Sequence, residues 1–249
     1  LIRTFVQSYE NIRDMNIKTN KKAVIIGATS GIGMEVAKLL AQQGWEIGVA
    51  GRRIERLRQL QQENPQIMAI KEIDITDEDA PKLLEELIEE LGDMNLYFHS
   101  SGIGYQNVAL DADKEMAIVA TNGMGFTRMV TAAFNYFAAH PERKGHITVI
   151  SSIAGTKGLG ASPAYSSTKR FQSHYMECLG QLAHIRGLDI AFTDIRPGFV
   201  TTELIEGCNY PMLMDATKVA RKIVSAISKQ KHSIVIDWRY RILVFLWQL

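Results

Sequence analysis

Two cysteines in 249 residues leave no material for a disulfide framework. Cys178 and Cys208 also lack metal or redox spacing, so they read as buried free thiols in a reducing compartment. The six histidines form no His-Glu-x-x-His pattern or comparable ligand cluster, and no metal is expected. A formal net charge of +1 gives no electrostatic argument for nucleic acid or strongly acidic partners. No repeat, low-complexity stretch or linker divides the chain. Residues 1–14 lack the basic end, long apolar run and small-residue cleavage site of a signal peptide. The simplest expectation is that Met15 is the natural start, within an N-terminal extension over 1–21. The apolar run from Ile242 is too short to span a bilayer, which takes about 20 residues.

What is present is an ordinary globular composition, 46% hydrophobic and 22% charged, at a length that suits one large domain. Short apolar runs over 22–27, 45–50, 67–73, 96–99, 146–151, 188–195 and 233–236 read as strands. Between them, 31–43, 54–62, 78–91, 114–139, 163–184 and 216–228 read as helices. Strict alternation predicts an α/β fold over 22–236: a single-domain, Rossmann-type doubly wound sheet of seven parallel strands with helices on both faces. The centre of such a sheet is where a ligand belongs. The segment 237–249, Trp238 to Leu249, is hydrophobic with two arginines near its start. It either packs on the core or on another subunit, or lies in a membrane interface as a peripheral anchor.

Three local patterns carry chemistry. Gly27-Ala-Thr-Ser-Gly31-Ile-Gly33 joins the first strand to the first helix, where glycines permit a tight turn and close approach of a pyrophosphate. The second strand ends Gly51-Arg52-Arg53, with no carboxylate for a ribose 2′-hydroxyl and with guanidinium groups suited to a 2′-phosphate. This favours NADP over NAD. Tyr165-Ser-Ser-Thr-Lys169 places a phenol and an amine one helical turn apart on one face. An ammonium beside a phenol lowers the phenol pKa from near 10 and suits it to proton transfer.

Together with Ser151-Ser152-Ile-Ala-Gly155, Asn122 in Thr-Asn-Gly, Asp74 and Arg196-Pro-Gly-Phe-Val-Thr-Thr202, these motifs resemble the short-chain dehydrogenase/reductase family over about 22–236. The resemblance implies a catalytic set of Asn122, Ser152, Tyr165 and Lys169. In it Tyr165 is the general acid/base, Lys169 tunes it and binds ribose, Ser152 holds the substrate oxygen, and Asn122 supports a water relay to Lys169. It also implies cofactor contacts at Gly27, Thr29, Ser30, Gly31, Ile32 and Gly33, at Arg52 and Arg53, and at Asp74 and Ile75. Toward the nicotinamide it implies Ser101, Gly102, Tyr165, Lys169, Pro197, Gly198, Val200 and Thr202. Two departures stand out: Ile26 replaces a usual Thr, and His99-Ser100-Ser101-Gly102 replaces Asn-Asn-Ala-Gly.

The expectation is thus an NADP(H)-dependent carbonyl reductase or alcohol dehydrogenase, cytoplasmic or peripheral to a membrane. The segment 203–215 is its expected substrate lid, and Leu204, Ile205, Tyr210, Met212, Leu213 and Met214 favour an apolar substrate unless they pack on the core. The resemblance implies a homodimer or homotetramer through the helices over 114–139 and 164–186. The alternative from another class is a non-catalytic NADP(H)-binding sensor. An epimerase or dehydratase of the extended relatives is longer and carries a different glycine spacing.

Overall fold

The computed structural model describes residues 21–203 and 210–248. The expectation about Met15, Leu204 and Ile205 of the expected lid, and Cys208 lie outside the described residues. β1 (Lys22–Ile26) leads through the glycine turn into α1 (Gly31–Gln42), and β2 (Glu46–Gly51) and α2 (Ile54–Glu63) repeat the unit. β3 (Ile67–Glu72), α3 (Ala80–Leu91) and β4 (Leu96–His99) follow. Next come α4 (Ala112–Val119), a π-helical segment (Ala120–Gly125), α5 (Phe126–Ala139) and β5 (Gly145–Ile150). A 3-10 turn (Ile153–Gly155) precedes α6 (Pro163–Ile185) and β6 (Ile190–Arg196). α7 (Ala216–Ser228), β7 (Ser233–Val235) and α8 (Trp238–Gln248) complete the order.

All seven strands are parallel in the order β3-β2-β1-β4-β5-β6-β7, as the alternation predicted. Strands covered on both faces must be apolar throughout, and Ala23, Val24, Ile25 and Ile26 of β1 are all fully buried. Alternation sends Ala23 and Ile25 into one core with α1, α2, α7 and α8. Val24 and Ile26 enter the other, where Leu84, Leu87, Phe126, Phe134 and Met176 meet β4 and β5. Ile26 therefore supplies core volume where the family's Thr would supply a hydroxyl. The strand order reverses between β1 and β4, which opens a crevice at their carboxyl ends.

Three expectations need correction. The helix expected over 114–139 is interrupted by the π-helical segment Ala120–Gly125. A Cβ on Gly125 would stand 2.8 Å from the Ile75 carbonyl oxygen, so the helix approaches that loop through glycine. The extra residue of a π turn re-aims the side chains around it, Asn122 included. Cys178 is free but exposed, because the buried stripe of α6 runs through Met176, Leu179 and Ala183 and leaves it outside. Residues 238–248 are a helix, where the sequence suggested only an apolar segment. Its inner side, Tyr240 and Val244, packs on the first core. No helix among the described residues is long and apolar enough to cross a membrane.

His146, the first register partner of Leu96 across β4–β5, is buried with Nε2 2.8 Å from Thr193 Oγ1. Burial pushes its pKa down from 6.5 to about 4. A histidine lowered in the folded state binds its proton first in the unfolded chain, so stability falls as pH drops from about 6.5 toward 4. His146→Asn removes that titration. Its unfolding free energy is expected to lose up to about 3 kcal/mol less than wild type over this window. Urea unfolding at a series of pH values measures it; parallel curves for the two proteins would reject the assignment.

Candidate active site

The crevice is built by close backbone approach. Gly27 and Gly31 adopt φ of +88° and +57°, the left-handed region that favours glycine. A Cβ on Gly27 would stand 2.7 Å from the Ser101 nitrogen, and one on Gly33 2.3 Å from the Gly27 oxygen. A Cβ on Gly31 would meet the Thr202 methyl at 3.1 Å, so the 197–202 segment closes on the same turn. Ser30 caps α1 without a side-chain hydrogen bond, and its first turn holds no acidic residue. The first N–H groups of α1 and its positive dipole end therefore face the crevice uncompensated. That cradle fits a dinucleotide pyrophosphate. Ile32 lies beneath it, packed against the first core.

The two arginines after β2 differ. Arg53 folds over the turn, donating to Thr29 Oγ1 from Nε at 3.2 Å and from Nη2 at 2.8 Å, and to Ser30 Oγ at 2.8 Å. Its Nη1 also donates to Glu203 at 2.6 Å, and Arg56 donates to the other oxygen of the same carboxylate. These two guanidinium groups, Arg56 foremost, hold Glu203 down to about 2. Arg52 stays exposed, 3.8 Å from Asp74 Oδ2. Asp74 Oδ1 accepts from the Thr76 amide at 3.0 Å, while the Ile75 carbonyl accepts from Arg128 at 3.1 Å. Glu203 and Arg56 carried no local signal in the sequence, since their pairing spans 147 positions.

Across the crevice, β5 is followed by Ser151 and Ser152, and α6 brings Tyr165 and Lys169 to the same point. Ser151 donates to Asp194, which also accepts from Arg196 at 2.6 Å. Ser152 Oγ accepts from the Ala154 amide at 3.1 Å, lies 3.4 Å from the Pro197 oxygen and is near enough to the Tyr165 phenol to lower its pKa. Lys169 Nζ sits 5.8 Å from the Tyr165 ring centroid. A Cβ on Gly104 would stand 2.5 Å from the Tyr165 ring, so this glycine, unmarked in the sequence, admits the phenol. Gly102 does the same for Asn122 and Lys169, whose Oδ1 and Nζ would lie 3.2 and 3.5 Å from a Cβ there. Asn122, fully buried, accepts from the Ile103 amide at 2.9 Å and donates to its carbonyl at 2.7 Å. Its side chain thus holds the loop after β4.

The electrostatics depart from the expectation. Tyr165 is raised above its ordinary value, because burial outweighs the lowering hydrogen bond from Ser152 and Tyr210 adds to the rise. The phenol therefore carries its proton at neutral pH. Burial lowers Lys169 from 10.5 to about 8 against the attraction of Asp194. His99, also fully buried, is lowered to about 3 by burial and by the Lys169 charge. Its Nδ1 lies 2.9 Å from the Tyr97 hydroxyl, and its buried Nε2 has no hydrogen-bond partner among the described residues.

Gln172 is the residue that sequence reasoning missed. It is fully buried one turn beyond Lys169, accepts from Lys169 Nζ at 3.0 Å and donates to the Asn122 carbonyl at 2.9 Å. Lys169 also donates to the Ile150 carbonyl at 2.9 Å, and its third N–H has no partner among the described residues. This amide spans the Lys169 amine and the Asn122 carbonyl. A polar residue on a helix facing the core has no periodic signature that separates it from a solvated one.

The far wall is formed by residues 197–203 and 210–214. Val200 bridges Met214 in parallel fashion, both buried. Tyr210 stacks on Phe199 at 4.1 Å and accepts from Gln106 at 3.0 Å. A Cβ on Gly198 would stand 2.3 Å from the Tyr240 ring, whose hydroxyl accepts from the Phe199 amide at 3.2 Å and donates to the Met212 carbonyl at 3.1 Å. Gly198 is thus explained by packing against α8. Of the expected lid residues, Met212 and Met214 pack on the core, while Leu213 is 41% exposed.

The family model described as short chain dehydrogenase matches residues 21–210. An uncharacterized oxidoreductase of Myxococcus xanthus is 31% identical over 228 residues, covering 88% of each chain. A short chain dehydrogenase/reductase from Burkholderia phymatum in complex with NAD superimposes with a TM-score of 0.81 at 20% identity, over 91% of this chain and 92% of that one. A short-chain dehydrogenase from Sphingobium yanoikuyae in complex with NADPH gives 0.77 at 20% identity, over 92% and 94%.

The Gln172 contact predicts opposite effects of two near-isosteric changes. Gln172→Met removes an acceptor from the ammonium and is expected to move the Lys169 pKa below about 8. Gln172→Glu sets a carboxylate there and is expected to move it up, each by on the order of one unit. The other ionisable groups around the amine are Tyr165, Asp194 and His99, which both variants leave in place. NMR titration of lysine labelled with 13C at Cε reads both shifts; a Lys169 signal that titrates identically in all three proteins would refute the assignment.

Proposed function

Because the chain belongs to the short-chain dehydrogenase family, we propose that this oxidoreductase uses NADP(H) to interconvert an apolar carbonyl compound and its alcohol, working as a reductase. The observation that carries this reading is the meeting of Tyr165, Ser152 and Lys169 across the crevice from the open end of α1. When bound, the nicotinamide supplies the hydride. Ser152 Oγ, held by the Ala154 amide, is placed to hydrogen-bond the substrate oxygen. Tyr165, which carries its proton at neutral pH, gives it to that oxygen as charge develops there. The Lys169 ammonium beside the ring stabilises the phenolate left behind. Its remaining N–H is free to hold a ribose hydroxyl.

A proton-bearing tyrosine is ready to act as the acid that reduction of a carbonyl requires. Tyr105, Phe199, Tyr210 and Leu213 around the mouth support an apolar substrate. Exposed Met116 and Met124, and Phe171, Leu182 and Ile185 on α6, support assembly of a homodimer or homotetramer through these helices.

NADP preference rests on Arg52, Arg53 and the absence of a carboxylate at the end of β2. Arg53→Ala is expected to weaken NADPH binding about tenfold or more and NADH binding less than about twofold, read by nicotinamide fluorescence. Equal losses would mean that Arg53 braces the turn through Thr29 and Ser30 and recognises no phosphate.

Tyr165→Phe tests the mechanism. Turnover of a carbonyl panel is expected to fall by at least about a hundredfold, with NADPH affinity within about twofold of wild type. Substantial residual turnover would sink the role given to the phenol.

A further inference from the structure

The net charge of +1 conceals a segregation. Lys218 and Arg221 of α7, Lys229 and Lys231 after it, and Arg241 of α8 have no ion-pair partner within 4 Å among the described residues, and Lys222 of α7 meets only the longer-range attraction of Asp237. Asp237 is the one carboxylate within residues 216–241, and it is held by Arg239 at 3.0 Å. A groove of about 460 Å³ is lined by Arg221, Lys222, Lys231, Asp237, Trp238 and Arg241.

Trp238 and Arg241 also begin the outer side of α8. Trp238, Ile242, Phe245 and Leu246 recur at i, i+4, i+7 and i+8, and are 67%, 51%, 65% and 59% exposed. The inner side of the helix is already packed on the core through Tyr240 and Val244. A helix apolar on both sides is covered on both sides. Charge complementarity says by what: the apolar stripe is continuous with unpaired cations, so the covering surface is negative. A second copy docked about a two-fold axis would set this cationic cluster against itself. Tryptophan at the edge of an apolar stripe with Lys and Arg beside it suits the headgroup boundary of a bilayer.

We propose that α8 and the basic rim of α7 form a docking surface for an anionic lipid bilayer. The eleven-residue helix lies in the membrane plane, with Trp238, Ile242, Phe245 and Leu246 at the acyl boundary and the cations on lipid phosphates. This inference stands independently of the cofactor and substrate assigned to the crevice.

Flotation of the whole chain tests it, using vesicles of phosphatidylcholine alone and with roughly a third of phosphatidylglycerol. Binding to the anionic vesicles is expected to exceed binding to the neutral ones by on the order of tenfold and to weaken as salt rises. Tryptophan emission should shift to the blue on binding. Phe245→Glu and the pair Arg221→Glu/Lys222→Glu should each reduce binding about tenfold, with Tm and near-ultraviolet circular dichroism as in wild type. Equal binding to both vesicle types, or variants that bind like wild type, would overturn the proposal. So would a dimer that Phe245→Glu dissociates without any vesicle binding, which would assign the face to a second copy. Retention on polyglutamate with no vesicle binding would likewise assign it to an acidic protein.

Discussion

An ammonium at 5% exposure has to be matched by acceptors inside the protein, and Lys169 finds them on two different elements. One is the last carbonyl of β5, at Ile150; the other is Gln172 on its own helix. Gln172 is fixed in turn by the Asn122 carbonyl in the π-helical segment, and the Asn122 side chain holds Ile103 after β4. One buried charge thus ties the ends of β4 and β5, the break in the long helix and α6 into a single network. The π segment and Gly102, which looks like a spacer, both follow from it. The placement of Tyr165 follows too, because its ring is set against the same amine.

The two walls of the crevice are held by different physics. On the cofactor side, glycines let backbones touch, and Arg53 straps the turn to Glu203. On the opposite side, aromatic stacking and the Tyr240 hydroxyl fix Phe199, Tyr210 and Met212. The first wall presents unmatched N–H groups and suits an anion. The second presents rings and suits an apolar carbon skeleton.

Most of the fold was legible because its cues are local and periodic. Four consecutive apolar residues in β1 and the recurring stripes of α1 and α7 need no knowledge of their neighbours. The glycine turn, Ser152, Tyr165 and Lys169 were legible because their spacing is itself the signal. What escaped depends on contacts between distant positions: Arg56 with Glu203, Gly198 with Tyr240, Gln172 with Asn122. The Tyr165 pKa escaped for another reason. Spacing says that a lysine lies near, but how deeply the phenol is buried is a property of the packed molecule. Formal net charge failed likewise, since a sum over the chain cannot report where the cations gather.

Tyr240 gives α8 a second significance. The same helix that turns Trp238 and Phe245 outward holds Phe199 and Met212 by one phenolic oxygen. Its Trp247 indole donates to Thr156 at 3.0 Å, just beyond the serine-bearing turn. One helix thus joins an outward apolar face to the wall that carries Phe199 and Met212. Only one side chain, Tyr240, separates the outward apolar face from the mouth of the crevice.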